Sequence, residues 1–255
     1  SEGESSSLTY EVVGEGFGIP EQTGRGQYTY TVTGITGDRA ANYDLQVAEG
    51  DAGTLTIHPR PLVYTVVSGN RIYGSLDLPN VQFDDLASWH TASDVAPIIE
   101  LFRDGMPVTN DKRLAVGVYA VTVTGLTGDA ADNYTLVSGT GGTLTIDKKT
   151  LTWTVADSQG EYGTLATIGT VTFPGLVEGD SVTPQLVVRR VSNGEEVELD
   201  RRTTPGTYRV EVVAIGGPDA GNYALAAAGN SVGTLIISPK ELSFKTTEIV
   251  LTYGD

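Results

Sequence analysis

The sequence predicts an all-β protein built from tandem copies of one unit of about ninety residues, and three observations support this prediction. Similar segments begin at Gly26, Gly117 and Gly206, which stand 91 and 89 residues apart. Apolar and polar side chains alternate with a period of two after Gly206, and no segment keeps the period of 3.6 that a helix requires. Glycine contributes 32 of the 255 residues, which suits a chain with frequent turns.

The repeat is visible in the letters of the three segments. They read GQYTYTVTGITGDRAANYDLQVAEGDAGTLTIHPR, GVYAVTVTGLTGDAADNYTLVSGTGGTLTIDKK and GTYRVEVVAIGGPDAGNYALAAAGNSVGTLIISPK. Two further landmarks keep the spacing: an Asn-Tyr pair at Asn42, Asn133 and Asn222, and a Tyr-Gly pair at Tyr73, Tyr162 and Tyr253. Phe83 and Phe173 also align, and Tyr10 is their predicted counterpart in the first copy. Landmarks that share one register indicate a tandem array.

The landmarks also predict the domain organisation. Residues 1–60 form a partial repeat without an opening strand, 61–149 and 150–240 form full repeats, and 241–255 form the first strand of a following repeat. A second phasing, in which units end at each Tyr-Gly pair, fits the same spacing. The segments between copies, HPRP, DKKT and SPKE, are short and contain no Gly/Ser tract. The repeats are therefore expected to stand end to end.

Within the repeat at 150–240 the pattern predicts seven short strands. They are Leu151–Val155, Leu165–Phe173, Gln185–Val191, Glu195–Leu199, Thr207–Ile215, Tyr223–Ala227 and Thr234–Ile237. Asn193-Gly194 between two of these strands predicts a type I′ hairpin, which needs positive φ at both residues. Seven strands with such turns favour a small immunoglobulin-like β-sandwich, and a β-grasp-like repeat is the alternative. The motif G-x-Y that contains Tyr208 resembles the tyrosine corner of immunoglobulin-like domains, which implies a phenol that bonds to nearby backbone.

The order of these motifs resembles that of a known family. A Tyr-Gly turn, then G-x-Y-x-V, an Asn-Tyr pair and a closing G-T-L-T-I strand are similar to the MBG-type (YG-X) repeats of large extracellular bacterial adhesins. The resemblance implies an extracellular, cell-surface stalk that projects a distal binding region for attachment or biofilm formation. The expected partners are neighbouring repeats of the same chain, and the chain is expected to be a monomer. In the alternative interpretation, the repeats themselves bind glycan or a host surface protein through copy-specific loops.

Composition excludes several other functions. The formal net charge of −16 argues against nucleic acid as a partner. No stretch approaches the roughly 20 apolar residues of a membrane helix, so no membrane insertion is expected. Cysteine is absent and only two histidines are present. No catalytic motif is recognisable, so no catalytic residue and no enzymatic activity are predicted.

Two kinds of candidate site remain, a ligand contact and a calcium site. Trp89 and His90 lie in the stretch SWHTASDV, where the other full copy has only EGDSV, and they are the candidate contacts for a sugar or a partner protein. No cofactor is expected, with calcium as the one alternative because it takes hard oxygen ligands. The calcium candidates are Asp129 and Asp132, and a second acidic loop runs from Glu178 to Asp180.

Overall fold

A computed structural model describes residues 7–13, 23–36, 40–42, 44–46, 52–249, 251 and 253 of an all-β chain. Tyr43 and Gly254, which belong to predicted landmarks, lie outside these residues. The strands are β1 (Ser7–Val13), β2 (Gly26–Thr36), β3 (Gly53–Ile57), β4 (Arg60–Val66), β5 (Gly69–Ile72), β6 (Val81–Asp84), β7 (Ala96–Arg103), β8 (Met106–Val108), β9 (Gly117–Thr127), β10 (Tyr134–Thr140), β11 (Gly142–Asp147), β12 (Lys149–Leu151), β13 (Thr154–Val155), β14 (Ser158–Glu161), β15 (Val171–Thr172), β16 (Thr183–Arg190), β17 (Gly206–Gly216), β18 (Tyr223–Leu225) and β19 (Gly233–Ser238). Short 3₁₀ helices occupy Ala40–Asn42, Ala131–Asn133 and Ala220–Asn222.

Contacts divide the chain into two compact units. Unit 1 comprises Ser1–Gly69, Leu78–Thr109 and Val118–Leu144, and unit 2 comprises Asn70–Asp77, Asn110–Gly117 and Thr145–Asp255. Unit 2 thus includes residues 70–77, 110–117 and 145–149 of the sequence range 61–149. Their contacts within unit 2 are described with the candidate site below.

In unit 1, β4 is the central strand of a three-stranded sheet. It pairs in parallel with β10 and antiparallel with β6. Alternate residues of β4, among them Leu62 and Tyr64, are buried because they face the core of the unit. A second antiparallel group joins β8, β7 and β9, and a third joins β1, β2 and β3. The core around Leu62 also contains Ala87, Val95, Ala130 and Tyr134.

In unit 2, the main sheet has the order β14-β19-β17-β16. Two smaller pairs complete the unit: β12 with β18 in parallel, and β13 with β15 antiparallel. Tyr208, Val210 and Val212 of β17 are buried while Arg209 between them is exposed, as the period-two pattern predicted. The phenol of Tyr208 donates a hydrogen bond to the backbone oxygen of Thr204 at 2.5 Å, which confirms the predicted backbone contact.

The strand pairings recur along the chain. β2, β9 and β17 each have eleven residues, and each pairs antiparallel with the strand before it in its sheet, β1, β7 or β16. Every pair shifts register at one step, at Thr9/Tyr10, Ile98/Ile99 and Gln185/Leu186. Tyr10 therefore corresponds to Ile99 and Leu186, and its predicted match with Phe83 and Phe173 is wrong.

Two predicted strands are largely absent from the structure, and one strand of the structure was not predicted. Only Val171–Thr172 of the segment Leu165–Phe173 is a strand. Its Gly169 lies so close to the chain that a Cβ would come 1.9 Å from the carbonyl oxygen of Ala156. Glu195–Leu199 contributes a single bridge, from Glu196 to Arg189. The strand β14 was missed because its letters, SQGE, are polar and carry no apolar alternation.

The turn at Asn193-Gly194 is also not the predicted type I′ hairpin. Gly194 has a φ of +74°, but Asn193 is not among the residues with positive φ in the described part of the chain. Instead, the Asn193 side chain accepts a hydrogen bond from the backbone N–H of Glu195 at 3.1 Å, and Gly194 N–H bonds to the Arg190 oxygen at 2.8 Å. The paired positive φ angles occur at Asp104 (+52°) and Gly105 (+80°), between β7 and β8.

Candidate functional site

The predicted ligand contacts Trp89 and His90 lie beside the Asn-Tyr pair of unit 1. The Nδ1 atom of His90 is 2.7 Å from the phenol oxygen of Tyr134, and the same phenol accepts the backbone N–H of Ala87 at 3.1 Å. The rings of Trp89 and His90 meet edge to face at 6.1 Å. Trp89 is 39% exposed to solvent. It lines an open cleft of about 160 Å³, here called the Trp89 cleft, together with Arg25, His58, Arg60, His90, Asn133 and Tyr134.

The calcium candidates Asp129 and Asp132 are both exposed. Asp132 is exposed and forms an ion pair with Arg25 at 3.4 Å. Asp129 is exposed in the turn before the 3₁₀ helix Ala131–Asn133. Within the residues that the structure describes, no group of three or more His, Cys, Asp or Glu side chains is placed to hold a metal ion.

Four polar side chains of unit 2, Tyr73, Arg113, Asp180 and Tyr223, meet in one cluster, here called the Asp180 cluster. One carboxylate oxygen of Asp180 accepts hydrogen bonds from the phenols of Tyr73 at 2.8 Å and Tyr223 at 2.6 Å. Its other oxygen accepts the Nε–H of Arg113 at 2.7 Å. The Asp180 side chain is fully buried, whereas that of Arg113 is half exposed. The arrangement therefore places a buried carboxylate among three donors.

Local backbone structure positions each member of this cluster. Tyr73 follows β5 in a turn in which Gly74 has a φ of +96°, a conformation that favours glycine. Arg113 lies in the loop before β9, where its own N–H bonds to the Asp111 side chain at 2.7 Å. Asp180 ends a turn in which its N–H bonds to the oxygen of Val177 at 3.0 Å. These turns hold the backbone at each of the three residues.

Tyr223 is the centre of the packing in the Asp180 cluster. Its phenol oxygen also accepts the backbone N–H of Val177 at 2.9 Å, so that it both donates and accepts. Its ring meets the ring of Tyr73 edge to face, with centroids 5.4 Å apart and planes at 78°. Both tyrosines are 2% exposed. An edge-to-face aromatic pair contributes about 0.5–1.5 kcal/mol beyond the area it buries.

The cluster changes the acidity of its members. Burial, followed by the hydrogen bond to Asp180, raises the pKa of Tyr73 to about 12. The same two causes raise the pKa of Tyr223. Burial opposes ionisation of Asp180, but the hydrogen bonds from Tyr223, Tyr73 and Arg113 outweigh it and lower the pKa of that carboxyl. The hydrogen bond to Asp180 in turn raises the pKa of Arg113. All four groups therefore keep their ordinary charge states near neutral pH.

A loss of stability at high pH follows from the acidity of Tyr73. Its pKa rises from 10.0 to about 12 on folding, so its contribution is fully present below pH 10 and is lost as pH rises towards 12. We expect Tyr73→Phe to lose less stability than the wild type between pH 9 and 12. Urea denaturation at each pH measures this difference. Equal losses in the two proteins would contradict the assignment.

The Asn-Tyr pair also contributes through its asparagine. The Oδ1 atom of Asn222 accepts the backbone N–H of Val116 at 3.1 Å in unit 2. In unit 1, Asn133 accepts the backbone N–H of Arg25 at 2.7 Å in the same way. Arg25 and Val116 each precede the glycine of a G-x-Y motif. The asparagine thus bonds to the start of a long strand about a hundred residues earlier in the sequence.

Replacement of this asparagine has a measurable expected effect. We expect Asn222→Ala to destabilise unit 2 by about 1 kcal/mol, because the N–H of Val116 loses its acceptor. Asn80→Ala, which changes an exposed asparagine, is the matched control and is expected to change stability by less than about 0.5 kcal/mol. Thermal unfolding of the three proteins measures the effect. A change at Asn222 no larger than that at Asn80 would show that this bond is not important.

His90 of unit 1 and Asp180 of unit 2 hold corresponding positions. Each lies seven residues after an aligned phenylalanine, Phe83 or Phe173. Each also ends a turn, and the backbone N–H of the first residue of that turn donates to the phenol of the tyrosine in an Asn-Tyr pair. The three extra residues of the stretch SWHTASDV therefore come after His90. Sequence reasoning included Asp180 only in an acidic loop and did not connect it with Tyr73, Arg113 or Tyr223.

Comparisons with known proteins do not assign this chain to a family. No family model and no curated protein matches the sequence. Among solved structures it is similar to the I9–I11 tandem of titin, with 11% identity, coverage of 92% of this chain and 90% of that chain, and a TM-score of 0.24. A likeness of this degree is too low to assign a fold or a function. In the described part of the chain, no helix has the length and apolar character needed to cross a membrane.

Proposed function

We propose that the chain is a series of structural spacer repeats of a secreted or surface-anchored bacterial adhesin, located outside the cell. In this role the repeats project a distal binding region for attachment or biofilm formation. The motif order that resembles MBG-type repeats supports the proposal, as do the absence of cysteine and the net charge of −16. Enzymatic activity is no part of it.

The proposal assigns one repeat to residues 61–149 and the next to 150–240, each a small β-sandwich. Their opening strands support this phasing, because β4 pairs in parallel with β10 and β12 pairs in parallel with β18, each within one repeat. Residues 1–60 then belong to a partial copy. Residues 241–255 begin a further copy.

The Asp180 cluster is the observation on which the proposal mainly rests. Tyr73 and Arg113 come from the 61–149 repeat, while Asp180 and Tyr223 come from the 150–240 repeat. A spacer transmits extension only if successive repeats resist bending at their junction. A buried carboxylate bonded to two phenols and a guanidinium provides directional contacts at that point.

Small-angle X-ray scattering tests the spacer role. We expect an extended, rod-like profile, with a radius of gyration well above the ~18 Å of a compact protein of this length. Asp180→Ala should broaden the distance distribution without unfolding the repeats, because it removes the central acceptor of the junction. A globular profile for the wild type would contradict the proposal.

A second candidate function is binding of a glycan or host surface protein through the Trp89 cleft. The exposure of Trp89 favours it, because an aromatic face open to solvent beside a cleft can stack on a sugar ring. Glycan-array binding that is lost in Trp89→Ala would support this function. Tyr162→Ala is the matched control, since Tyr162 has the same 39% exposure. Absence of binding by the wild type would exclude it for the glycans tested.

A further inference from the structure

We infer that a surface around Tyr162, Gly163, Leu165 and Arg202, here called the Tyr162 face, is a docking surface for a further copy of this repeat. The inference rests on the proposed function and identifies the partner of its next junction. The partner is a following repeat of the same polypeptide that presents an Asn-Tyr pair and an acidic residue at the position of Asp180.

The Tyr-Gly turn of this face has the same backbone structure as the turn that carries Tyr73. Tyr162 N–H bonds to the Ser238 oxygen at 2.9 Å, and Tyr73 N–H bonds to the Asp147 oxygen at 2.9 Å. Gly163 N–H bonds to the Arg201 oxygen and Gly74 N–H to the Lys112 oxygen, both at 3.1 Å. The φ angles of the two glycines are +90° and +96°. The tyrosine is therefore presented from the same local scaffold.

The arginine is held in the same way in both copies. Arg202 N–H bonds to the side chain of Asp200 at 2.8 Å, as Arg113 N–H bonds to that of Asp111 at 2.7 Å. Both arginines stand four residues before the glycine of a G-x-Y motif. Among the described residues, no carboxylate lies within ion-pair distance of Arg202. The charge that Arg113 uses to bind Asp180 is thus available at the Tyr162 face.

Exposure separates the two copies. Tyr73 is 2% exposed, whereas Tyr162 is 39% exposed and its neighbour Leu165 is 61% exposed. In the cluster that is formed, the Tyr73 ring is covered by Tyr223. A following repeat that presents the same tyrosine and acid would cover Tyr162 and pair with Arg202. One hydrogen bond would be missing from this second contact. Val116 donates its backbone N–H to Asn222, whereas the corresponding residue of the next copy, Pro205, has no backbone N–H to donate.

The test uses the full chain extended in register. Residues 164–255 are appended directly after Gly254, because Tyr253-Gly254 aligns with Tyr162-Gly163. Nitration of each tyrosine by tetranitromethane is measured by mass spectrometry, with Tyr73 as the internal protected reference. We expect nitration of Tyr162 to fall at least fivefold relative to the original chain. The control is the same extended chain with Asp180→Ala and Tyr223→Phe only in the appended copy, which should restore most of the reactivity.

A graft keeps the inference testable if hydrogen exchange shows that the appended copy does not fold. The graft replaces residues 70–76 of the original chain with the sequence of 159–165, and residues 110–117 with the sequence of 199–206. The residues of the Tyr162 face then stand opposite the existing Asp180 and Tyr223. The grafted tyrosine should be protected like Tyr73. Reactivity equal to that of Tyr162 in the original chain would overturn the inference.

Two other outcomes would also overturn it. One is equal nitration of Tyr162 in the original chain and in a folded extended chain. The other is protection of Tyr162 in the original chain that increases with protein concentration, because this would identify a second chain as the occupant. A rod-like scattering profile together with either outcome would leave the spacer function standing and refute only the docking surface.

Discussion

We expect Asp180→Ala to lower the free energy of unfolding of unit 2 by about 3 kcal/mol, the lower end of the range for breaking a buried ion pair, because Arg113 is half exposed. The substitution removes the acceptor of Tyr73, Arg113 and Tyr223 at once, and it leaves the Tyr73 phenol buried without its partner. Urea denaturation measures the loss.

The two tryptophans allow each unit to be observed separately. Trp153 lies in the core of unit 2 and Trp89 lies in unit 1. In a Trp89→Phe background, the fluorescence of Trp153 therefore reports the unfolding of unit 2. Glu198→Ala, which changes an exposed acid of the same unit, is the matched control and should shift stability by no more than about 0.5 kcal/mol. A loss below about 1 kcal/mol for Asp180→Ala would contradict a structural role for the cluster.

The second large effect is expected for Tyr73→Ala, a loss of about 3–4 kcal/mol from unit 2. The Tyr73 ring is 2% exposed and packs on Tyr223, and its phenol bonds to Asp180. The substitution therefore removes a buried ring, an aromatic contact and a hydrogen bond together. The same Trp153 fluorescence measures it.

The chain contains its own control for this prediction. Tyr162 follows the same Tyr-Gly motif but is 39% exposed, so Tyr162→Ala should cost less than about 1 kcal/mol. Both variants lose whatever the tyrosine contributes to the Tyr-Gly turn. The difference between their losses of unfolding free energy therefore measures the contribution of the contacts around Tyr73. Equal losses at both positions would mean that the tyrosine stabilises its own turn and does not stabilise the cluster.

The sequence predicted the all-β class and most strands between residues 150 and 240, because half-buried strands leave a period-two signal that is independent of long-range contacts. The strand around Tyr208 was predicted from the local alternation, and its backbone hydrogen bond was implied by the resemblance to a tyrosine corner. Register was not predictable. Tyr10 lies in β1, which pairs with β2 as β16 pairs with β17. This correspondence appears only in the strand pairing, so Tyr10 was matched to the wrong residues. Likewise, β14 exists because it pairs with β19, not because of its own polar letters.

The candidate site was only partly predictable from the sequence. The Tyr-Gly and Asn-Tyr landmarks were recognised, and they contribute Tyr73 and Tyr223 to the Asp180 cluster. Their contact was not predicted because these two residues are 150 positions apart in the sequence. Counting from Phe83 and Phe173 would have aligned His90 with Asp180. A local motif shows which residues recur, whereas only the folded chain shows which recurring residues meet.

A double-mutant cycle between Tyr73→Phe and Asp180→Asn tests most directly whether the Asp180 cluster joins successive repeats. Both substitutions nearly preserve shape, so the cycle isolates the hydrogen bond between the two side chains. We expect a coupling energy of about 1–2 kcal/mol for this pair, and a value near zero for the matched cycle between Tyr162→Phe and Asp180→Asn. A Tyr73–Asp180 coupling indistinguishable from that of the Tyr162 cycle would contradict a joint between the repeats at this cluster.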